Sequence, residues 1–136
     1  MYYPRTIESA ARRISETFPV MLLTGPRQVG KTTLLQKMAE GTNRKYVTLD
    51  NPTIRNIAKT EPELFLQRYA PPVIIDEVQY APELFDYIKI HVDTHKRSGD
   101  FWLTGSQAFH MMNRVNESLA GRVGVIRLMG LSNSEI

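Results

Sequence analysis

The 136-residue sequence contains no cysteine, one tryptophan and no apolar run long enough to cross a bilayer. The lack of cysteine excludes disulfide bonds, thiolate metal sites and cysteine nucleophiles. No run approaches the ~20 apolar residues of a membrane span. Residues 1–18 are charged and lack the apolar core of a signal peptide. We therefore expect a cytoplasmic protein without a membrane partner.

The charge balance is weakly basic and uneven along the chain. The net charge is +3, with eight Lys and Arg against three Asp and Glu up to Lys45, and nine against eleven beyond it. A basic amino-terminal part suits a polyphosphate ligand, although a solvated helix face explains much of the same excess. Aromatic residues are few and not interleaved with basic ones, so no stacking platform for single-stranded nucleic acid is visible. A nucleic-acid partner has weak support.

Apolar runs alternate with helical patterns along the chain. A chain of this length with 42% hydrophobic residues supports one domain with a core and is too short for two. Helical spacing occurs near residues 7–18, 32–40, 53–69 with a break near Pro62, 82–99 and 109–119. Apolar runs predict strands at residues 20–24, 46–49, 73–77, 101–104 and 123–128. This alternation predicts an α/β fold, with helices on both faces of a parallel sheet.

A glycine-rich segment after the first strand has the spacing of a Walker A phosphate-binding loop: Gly, four residues, then Gly-Lys-Thr. Glycines let successive backbone N–H groups point at anionic oxygens, and the following helix adds the positive end of its dipole. We expect Lys31 to reach the β- and γ-phosphates and the Thr32 hydroxyl to bind Mg²⁺. The nucleotide-binding residues predicted in this way are Gly25, Pro26, Arg27, Gln28, Val29, Gly30, Lys31, Thr32 and Thr33.

Two adjacent acids, Asp76 and Glu77, follow the third apolar run. A carboxylate at the carboxyl end of a buried parallel strand can hold Mg²⁺, which is the role we predict for Asp76 together with Thr32. Glu77 then fits the residue that orients and deprotonates the attacking water. An ordinary strand end entering a polar loop would explain two such acids alone. The phosphate loop beside them favours the catalytic interpretation, of Walker B type.

Three further features leave alternatives open. Ser106, or as second choice Thr104, follows the fourth strand near the expected γ-phosphate, although a simple turn explains these residues equally well. Arg122 either complements a helix dipole or acts as an arginine finger on a neighbouring subunit. His91 and His95 are four residues apart and could share a metal, but a solvated helix face is the better interpretation.

Together these features resemble the AAA+ ATPases and, more narrowly, the amino-terminal ATPase domain of a prokaryotic AAA-type family of uncharacterised role. The matching segments are Gly25-Pro26-Arg27-Gln28-Val29-Gly30-Lys31-Thr32-Thr33, Leu49-Asp50, Ile75-Asp76-Glu77-Val78-Gln79, Pro82-Glu83-Leu84, Leu103-Thr104-Gly105-Ser106-Gln107 and Ser118-Leu119-Ala120-Gly121-Arg122. The resemblance implies a three-layer P-loop core with a five-stranded parallel sheet in the order 5-1-4-3-2. It also implies ATP with Mg²⁺, homo-oligomers, and Arg122 as the arginine finger in trans.

The resemblance also indicates what lies outside this chain. Members of that family continue beyond the matching region, whereas this sequence ends at Ile136 and leaves no room for a helical lid. Residues 128–136 match the family's usual Pro-Leu-Ser run only loosely. We expect residues 1–136 to be a single AAA-type ATPase core domain, as an amino-terminal fragment.

Three functions are compatible with the sequence. The first is Mg²⁺-dependent ATP hydrolysis, with Lys31, Glu77, Ser106 and Arg122 as the catalytic residues. The second is a nucleotide-dependent switch or binding module with little turnover. The third, with weaker support, is ATP-dependent work on DNA. The absence of an Asn-Lys-x-Asp guanine motif favours ATP over GTP.

Overall fold

The sheet has five parallel strands, and its order places the first strand inside the sheet. The computed structural model describes residues 5–25, 30–106 and 109–128. The strands are β1 Val20–Thr24, β2 Lys45–Thr48, β3 Val73–Asp76, β4 Phe101–Gly105 and β5 Val123–Arg127. Their order across the sheet is β2-β3-β4-β1-β5, which confirms the predicted order 5-1-4-3-2 read from the other edge.

Helices connect the strands and begin where the sequence supplies start signals. Asn51 is the N-cap of the helix Pro52–Thr60, because its side-chain oxygen accepts hydrogen bonds from the N–H groups of Thr53 and Ile54 at 2.9 and 3.2 Å. No helix in the described part of the chain is long and apolar enough to cross a membrane. The helices are α1 Arg5–Thr17, α2 Lys31–Met38, α3 Pro52–Thr60, α4 Pro62–Arg68, α5 Leu84–His95 and α6 Phe109–Leu119.

Two separate apolar clusters lie on the two faces of the sheet, which gives three layers. Successive strand residues point to opposite faces, so Met21 and Leu23 belong to one cluster and Leu22 to the other. The first cluster includes residues of α1 and α2, and the second includes residues of α3, α4, α5 and α6. Burial on both faces explains why the central strands read as continuous apolar runs.

The parallel arrangement separates two edges of the sheet. Thr24 pairs with Gly105 and Thr48 pairs with Asp76, so the carboxyl ends of four strands meet at one edge. Crevices at this edge of an open α/β sheet are the usual place for ligands. The start of β1 lies at the opposite edge, where the N–H of Val20 donates to the carbonyl of Arg122 at 3.2 Å.

Candidate functional site

The glycine-rich segment leads into helix α2 at the carboxyl edge of the sheet. Gly30 is the N-cap of this helix with φ 80° and ψ 27°, a left-handed conformation that glycine adopts without steric cost. Its carbonyl accepts the N–H of Leu34 at 3.0 Å, which begins the helix. The N–H groups at such a helix start favour anions. Four predicted binding residues, Pro26, Arg27, Gln28 and Val29, lie outside the described residues.

Lys31 is buried at this edge and spans two strand ends. Only 3% of the surface of Lys31 is exposed to solvent. The ammonium Nζ donates to the carbonyl of Gly25 at 2.7 Å and to the carbonyl of Gly105 at 3.3 Å. A buried cation requires compensation, which the two carbonyl dipoles provide here. The positive charge therefore lies over the ends of β1 and β4.

The carboxylate of Asp76 is held by hydroxyl groups from three elements. Thr32 Oγ1 donates to Asp76 Oδ1 at 2.8 Å, and Thr104 Oγ1 donates to the same oxygen. The hydroxyl of Tyr46 donates to Asp76 Oδ2 at 3.0 Å. The structure thus brings together Thr32 and Asp76, the two residues that the sequence predicts as metal ligands. It also shows that Thr104 is fully buried beside the acid pair.

The contact of Tyr46 with Asp76 is one that the sequence analysis missed. Burial and the adjacent Asp76 carboxylate raise the pKa of Tyr46 to about 12, so its hydroxyl stays protonated and donates at neutral pH. Tyr46 lies on β2 opposite Ile74, two residues before Thr48, which pairs with Asp76. This proximity follows from the register of two strands whose facing residues are 28 positions apart in the sequence, so no local sequence pattern predicts it.

Glu77 lies directly after β3 with an unusual backbone conformation. Its φ is 64° and its ψ is 51°, a region that residues other than glycine adopt rarely and that is often found at functional sites. Its N–H donates to Thr104 Oγ1 at 2.9 Å. Its carboxylate Oε1 accepts from Gln79 Nε2 at 2.6 Å, and Gln79 Oε1 accepts the N–H of Ser106 at 3.2 Å. Gln79 therefore connects the predicted base with the predicted γ-phosphate contact.

The acids at this edge have the chemistry of a magnesium site. Asp50, Asp76 and Glu77 form an acidic cluster. One carboxylate oxygen from each of the three lies within 4.8 Å of the other two. Asp76 and Glu77 are buried and Asp50 is exposed. Carboxylates and hydroxyls are the hard oxygen ligands that Mg²⁺ prefers, so these residues together with Thr32 fit this ion. Asp50 was absent from the predicted metal ligands.

The remaining residues predicted at this edge differ in position. Thr33 lies in the first turn of α2 and is exposed, whereas Ser106 is half-buried immediately after β4. Next to Ser106 opens a cleft of about 570 Å³, lined by Gln79, Arg114 and other residues between the Val78–Tyr80 turn and α6. The predicted catalytic residues Lys31, Glu77 and Ser106 therefore share one edge.

Arg122 lies at the opposite edge of the sheet. A five-residue strand separates the edges by about 13 Å, so Arg122 does not reach the phosphate loop of its own chain. Its Nε and Nη2 donate to the two oxygens of Asp93 at 2.7 and 2.9 Å, and these bonds hold the pKa of Asp93 below its ordinary value. Its Nη1 donates to the carbonyl of Ala120 at 3.0 Å, as expected for a cation near a helix end. Its role in trans remains a prediction.

The two helical histidines differ from the expected solvated face. His91 and His95 stack at 4.1 Å between ring centroids, and His95 is exposed. His91 is half-buried with its ring edge-on to Phe101 at 5.4 Å, and burial lowers the pKa of His91. The prediction is wrong for His91 because this position of α5 faces the start of β4, at Phe101. Among the described residues, the cluster that could hold a metal ion consists of Asp50, Asp76 and Glu77 and contains neither histidine.

Comparison with known proteins shows the family of this chain. The sequence matches the AAA domain family over residues 17–136. The chain belongs to this family. Two uncharacterised proteins, one from Mycobacterium bovis and one from Mycobacterium tuberculosis, are each 33% identical over 132 residues, or 97% of this chain. The chain spans 30% of the length of these relatives.

Solved structures support the fold at lower identity. A DNA replication initiation factor superposes with a TM-score of 0.59 at 14% identity, covering 96% of this chain and 46% of the other. The Thermotoga maritima RuvB Holliday junction branch migration motor superposes with a TM-score of 0.53 at 20% identity, covering 92% and 43%. Family and fold together identify an AAA+ P-loop ATPase-like domain.

Proposed function

We propose that this AAA domain binds ATP with Mg²⁺ and hydrolyses it. The observation that supports this most directly is the hydrogen bond of 2.8 Å between the Thr32 hydroxyl and the Asp76 carboxylate. It joins the residue after the phosphate-loop lysine to the acid at the end of β3. In P-loop ATPases these two positions share the Mg²⁺ that accompanies the nucleotide.

The phosphate groups would bind over the start of α2. Lys31 is buried and compensated by two carbonyl oxygens, and anionic phosphate oxygens compensate an ammonium more strongly than carbonyl dipoles do. The backbone N–H groups of Gly30 and of the loop before it would add donors, as helix starts do for phosphates. We assign nucleotide binding to residues 25–33.

Thr32 and Asp76 would hold Mg²⁺, and Asp50 lies close to Asp76 at the same site. When bound, the ion neutralises charge that develops on the phosphates. Tyr46 and Thr104 fix the orientation of Asp76 by donating to its oxygens. Hydroxyl groups that orient a metal-binding carboxylate in this way strengthen metal binding.

Glu77 would act as the general base on the attacking water. It is buried, it carries a carboxylate, and it directly follows Asp76, so it lies beside the proposed phosphate and metal positions. The water would lose its proton to this carboxylate as its oxygen bonds to the γ-phosphorus, while the bond from that phosphorus to the β,γ-bridging oxygen breaks and ADP leaves. Ser106 would contact the γ-phosphate.

The domain would be cytoplasmic and would form homo-oligomers in which Arg122 serves the site of a neighbouring copy.

The test is the substitution Glu77→Gln, with Glu63→Gln on the exposed surface of α4 as the matched control. We expect Glu77→Gln to keep ATP affinity while turnover falls by about 10²- to 10⁴-fold, the usual contribution of a general base. Phosphate release and equilibrium binding of a fluorescent ATP analogue measure the two quantities. Turnover equal to that of the parent chain would contradict the base assignment.

The same measurements separate hydrolysis from the alternative of a nucleotide-dependent switch. A parent chain that binds ATP but releases no phosphate above background, at any protein concentration, would favour the switch and contradict the enzyme. Association with DNA has support from the mild positive charge and from the DNA-acting proteins that share this fold. A binding constant for duplex DNA whose logarithm falls linearly with the logarithm of the salt concentration would support this association.

A further inference from the structure

Gln79 uses both ends of its side-chain amide inside the proposed catalytic site. Its Nε2 donates to Glu77 Oε1 at 2.6 Å, and its Oε1 accepts the N–H of Ser106 at 3.2 Å. An ionised carboxylate only accepts hydrogen bonds and a backbone N–H only donates them. The two partners therefore require this one orientation of the amide.

The end of β4 leaves room for this amide because residue 105 is a glycine. A Cβ atom on Gly105 would lie 3.2 Å from Gln79 Oε1 and 3.1 Å from the terminal methyl of Met111. Both distances are shorter than ordinary van der Waals contact. The carbonyl of the same glycine accepts from Lys31 Nζ at 3.3 Å. Gly105 thus lies between the phosphate-loop lysine and the amide that contacts Glu77.

The backbone of Glu77 is fixed while its side chain depends on Gln79. The N–H of Glu77 donates to Thr104 Oγ1 at 2.9 Å, and this hydrogen bond holds the main chain of Glu77 against β4. The side chain is buried, and a hydrogen bond from a donor to an ionised carboxylate is about twice as strong as a neutral one. The Gln79 amide therefore selects the direction in which the Glu77 carboxylate points.

We propose that Gln79 is a positioning residue that couples the backbone of Ser106 to the carboxylate of Glu77. Contact between the γ-phosphate and the Ser106 segment shifts the Ser106 N–H, the amide of Gln79 follows it, and the Glu77 carboxylate turns toward the attacking water. The base is then aligned when the γ-phosphate is in place. This inference rests on the proposed ATPase function and adds to it the step that links nucleotide state to the base.

Two substitutions separate the two ends of the amide. Gln79→Glu keeps an oxygen that can accept the Ser106 N–H but removes the donor to Glu77. Gln79→Ala removes both contacts. Gln67→Glu, on the exposed surface of α4, is the matched control for the change in charge. Thermal unfolding of each variant verifies that the fold is retained.

We expect both Gln79 substitutions to lower kcat by about 10- to 100-fold, the range seen when a catalytic group is misplaced by about 1 Å. KM for ATP and the affinity for a fluorescent ATP analogue should stay within about twofold of the parent values, because the hydrogen bonds described for Gln79 go to Glu77 and Ser106. Gln67→Glu should match the parent. A kcat within twofold of the parent in both Gln79 variants would overturn the proposal.

Hydrogen exchange at the amide of Ser106 tests the coupling without turnover. We expect Gln79→Ala to accelerate this exchange, and Gln79→Glu to leave it close to the parent rate because its acceptor remains. Equal rates in all three proteins would overturn the coupling. If the three proteins show these relative exchange rates but the parent chain releases no phosphate, the ATPase function is contradicted, while the link between Gln79 and Ser106 is established.

Discussion

At the scale of single residues, the Asp76 carboxylate is oriented by three hydroxyl donors. Thr32 and Thr104 donate to Oδ1 and Tyr46 donates to Oδ2, so both oxygens are fixed in direction. Each donor comes from a different element of the fold, α2, β4 and β2. A carboxylate held in this way loses little rotamer entropy when it binds a cation, because its side chain is already ordered.

Tyr46 offers a direct test of that orientation. The substitution Tyr46→Phe removes the donor to Asp76 Oδ2 and keeps the ring. We expect the Mg²⁺ concentration for half-maximal binding of a fluorescent ADP analogue to rise by about tenfold, as for other residues that support metal ligands. Nucleotide binding measured in EDTA should change little.

Tyr87→Phe is the control, because Tyr87 is a similarly exposed tyrosine on α5 that lines a different surface cleft, beside Leu66 and His91. An unchanged Mg²⁺ requirement in Tyr46→Phe would show that the contact with Asp76 does not support a metal site.

At the scale of elements, the strands follow closely from the sequence. The run at residues 20–24 coincides with β1, because a strand buried on both faces must be apolar at every position. The break near Pro62 separates α3 from α4, since proline is favoured in the first turn of a helix and its ring excludes the helical bond before it. These features depend on local chemistry alone.

Other features depend on how the elements meet, and the sequence does not report them. Glu77 was predicted as the end of the third strand, but it lies outside the strand and has a left-handed backbone conformation. Its N–H donates a hydrogen bond to Thr104 Oγ1 of β4. The Val78–Tyr80 turn then delays the start of α5 to Leu84. The conformation of Glu77 is stabilised by a residue 27 positions away, so no short sequence pattern predicts it.

The contact of α1 with β5 provides a prediction at this scale. A Cβ atom on Gly124 would lie 2.4 Å from Ile14 Cγ2 and 2.9 Å from Phe18 Cδ2, both on the chain segment that packs over this strand. We expect Gly124→Ala to lower the free energy of unfolding by about 1–3 kcal/mol, the usual cost of overpacking. Urea denaturation measures this change.

The matched control is Val125→Ala on the opposite side of the same strand, where Val125 is 39% exposed. This surface substitution should change the free energy of unfolding by about 0.5 kcal/mol or less. If Gly124→Ala costs no more than the control, α1 does not pack closely on β5 in solution.

At the scale of the whole molecule, the parallel sheet separates the proposed nucleotide site from Arg122. The nucleotide site lies at the carboxyl ends of the strands and Arg122 at the start of β5, next to the start of β1. An arginine at that edge can complete a site only in another copy, through a head-to-tail contact between unlike surfaces. In the described structure Arg122 is paired with Asp93, and an exposed ion pair of this kind contributes little net stability, so its exchange for a phosphate partner is inexpensive.

A mixing experiment tests whether Arg122 acts on a neighbouring copy. Glu77→Gln chains retain Arg122 but lack the base, and Arg122→Ala chains retain the base but lack the arginine. We expect each to be at least tenfold less active than the parent, since arginine fingers elsewhere contribute about 10³–10⁵ in rate. An equimolar mixture should regain activity, because Arg122 of one chain then serves Glu77 of the other.

Arg97→Ala is the matched control, because Arg97 lines the same edge of the sheet and is likewise paired with an acid, Asp100. Mixed with Glu77→Gln chains it should show no gain beyond its own activity. If the mixture of Arg122→Ala and Glu77→Gln only sums the two separate rates, Arg122 does not act in trans. Its contacts with Asp93 and the Ala120 carbonyl would then describe its whole role, which is to stabilise the end of α6.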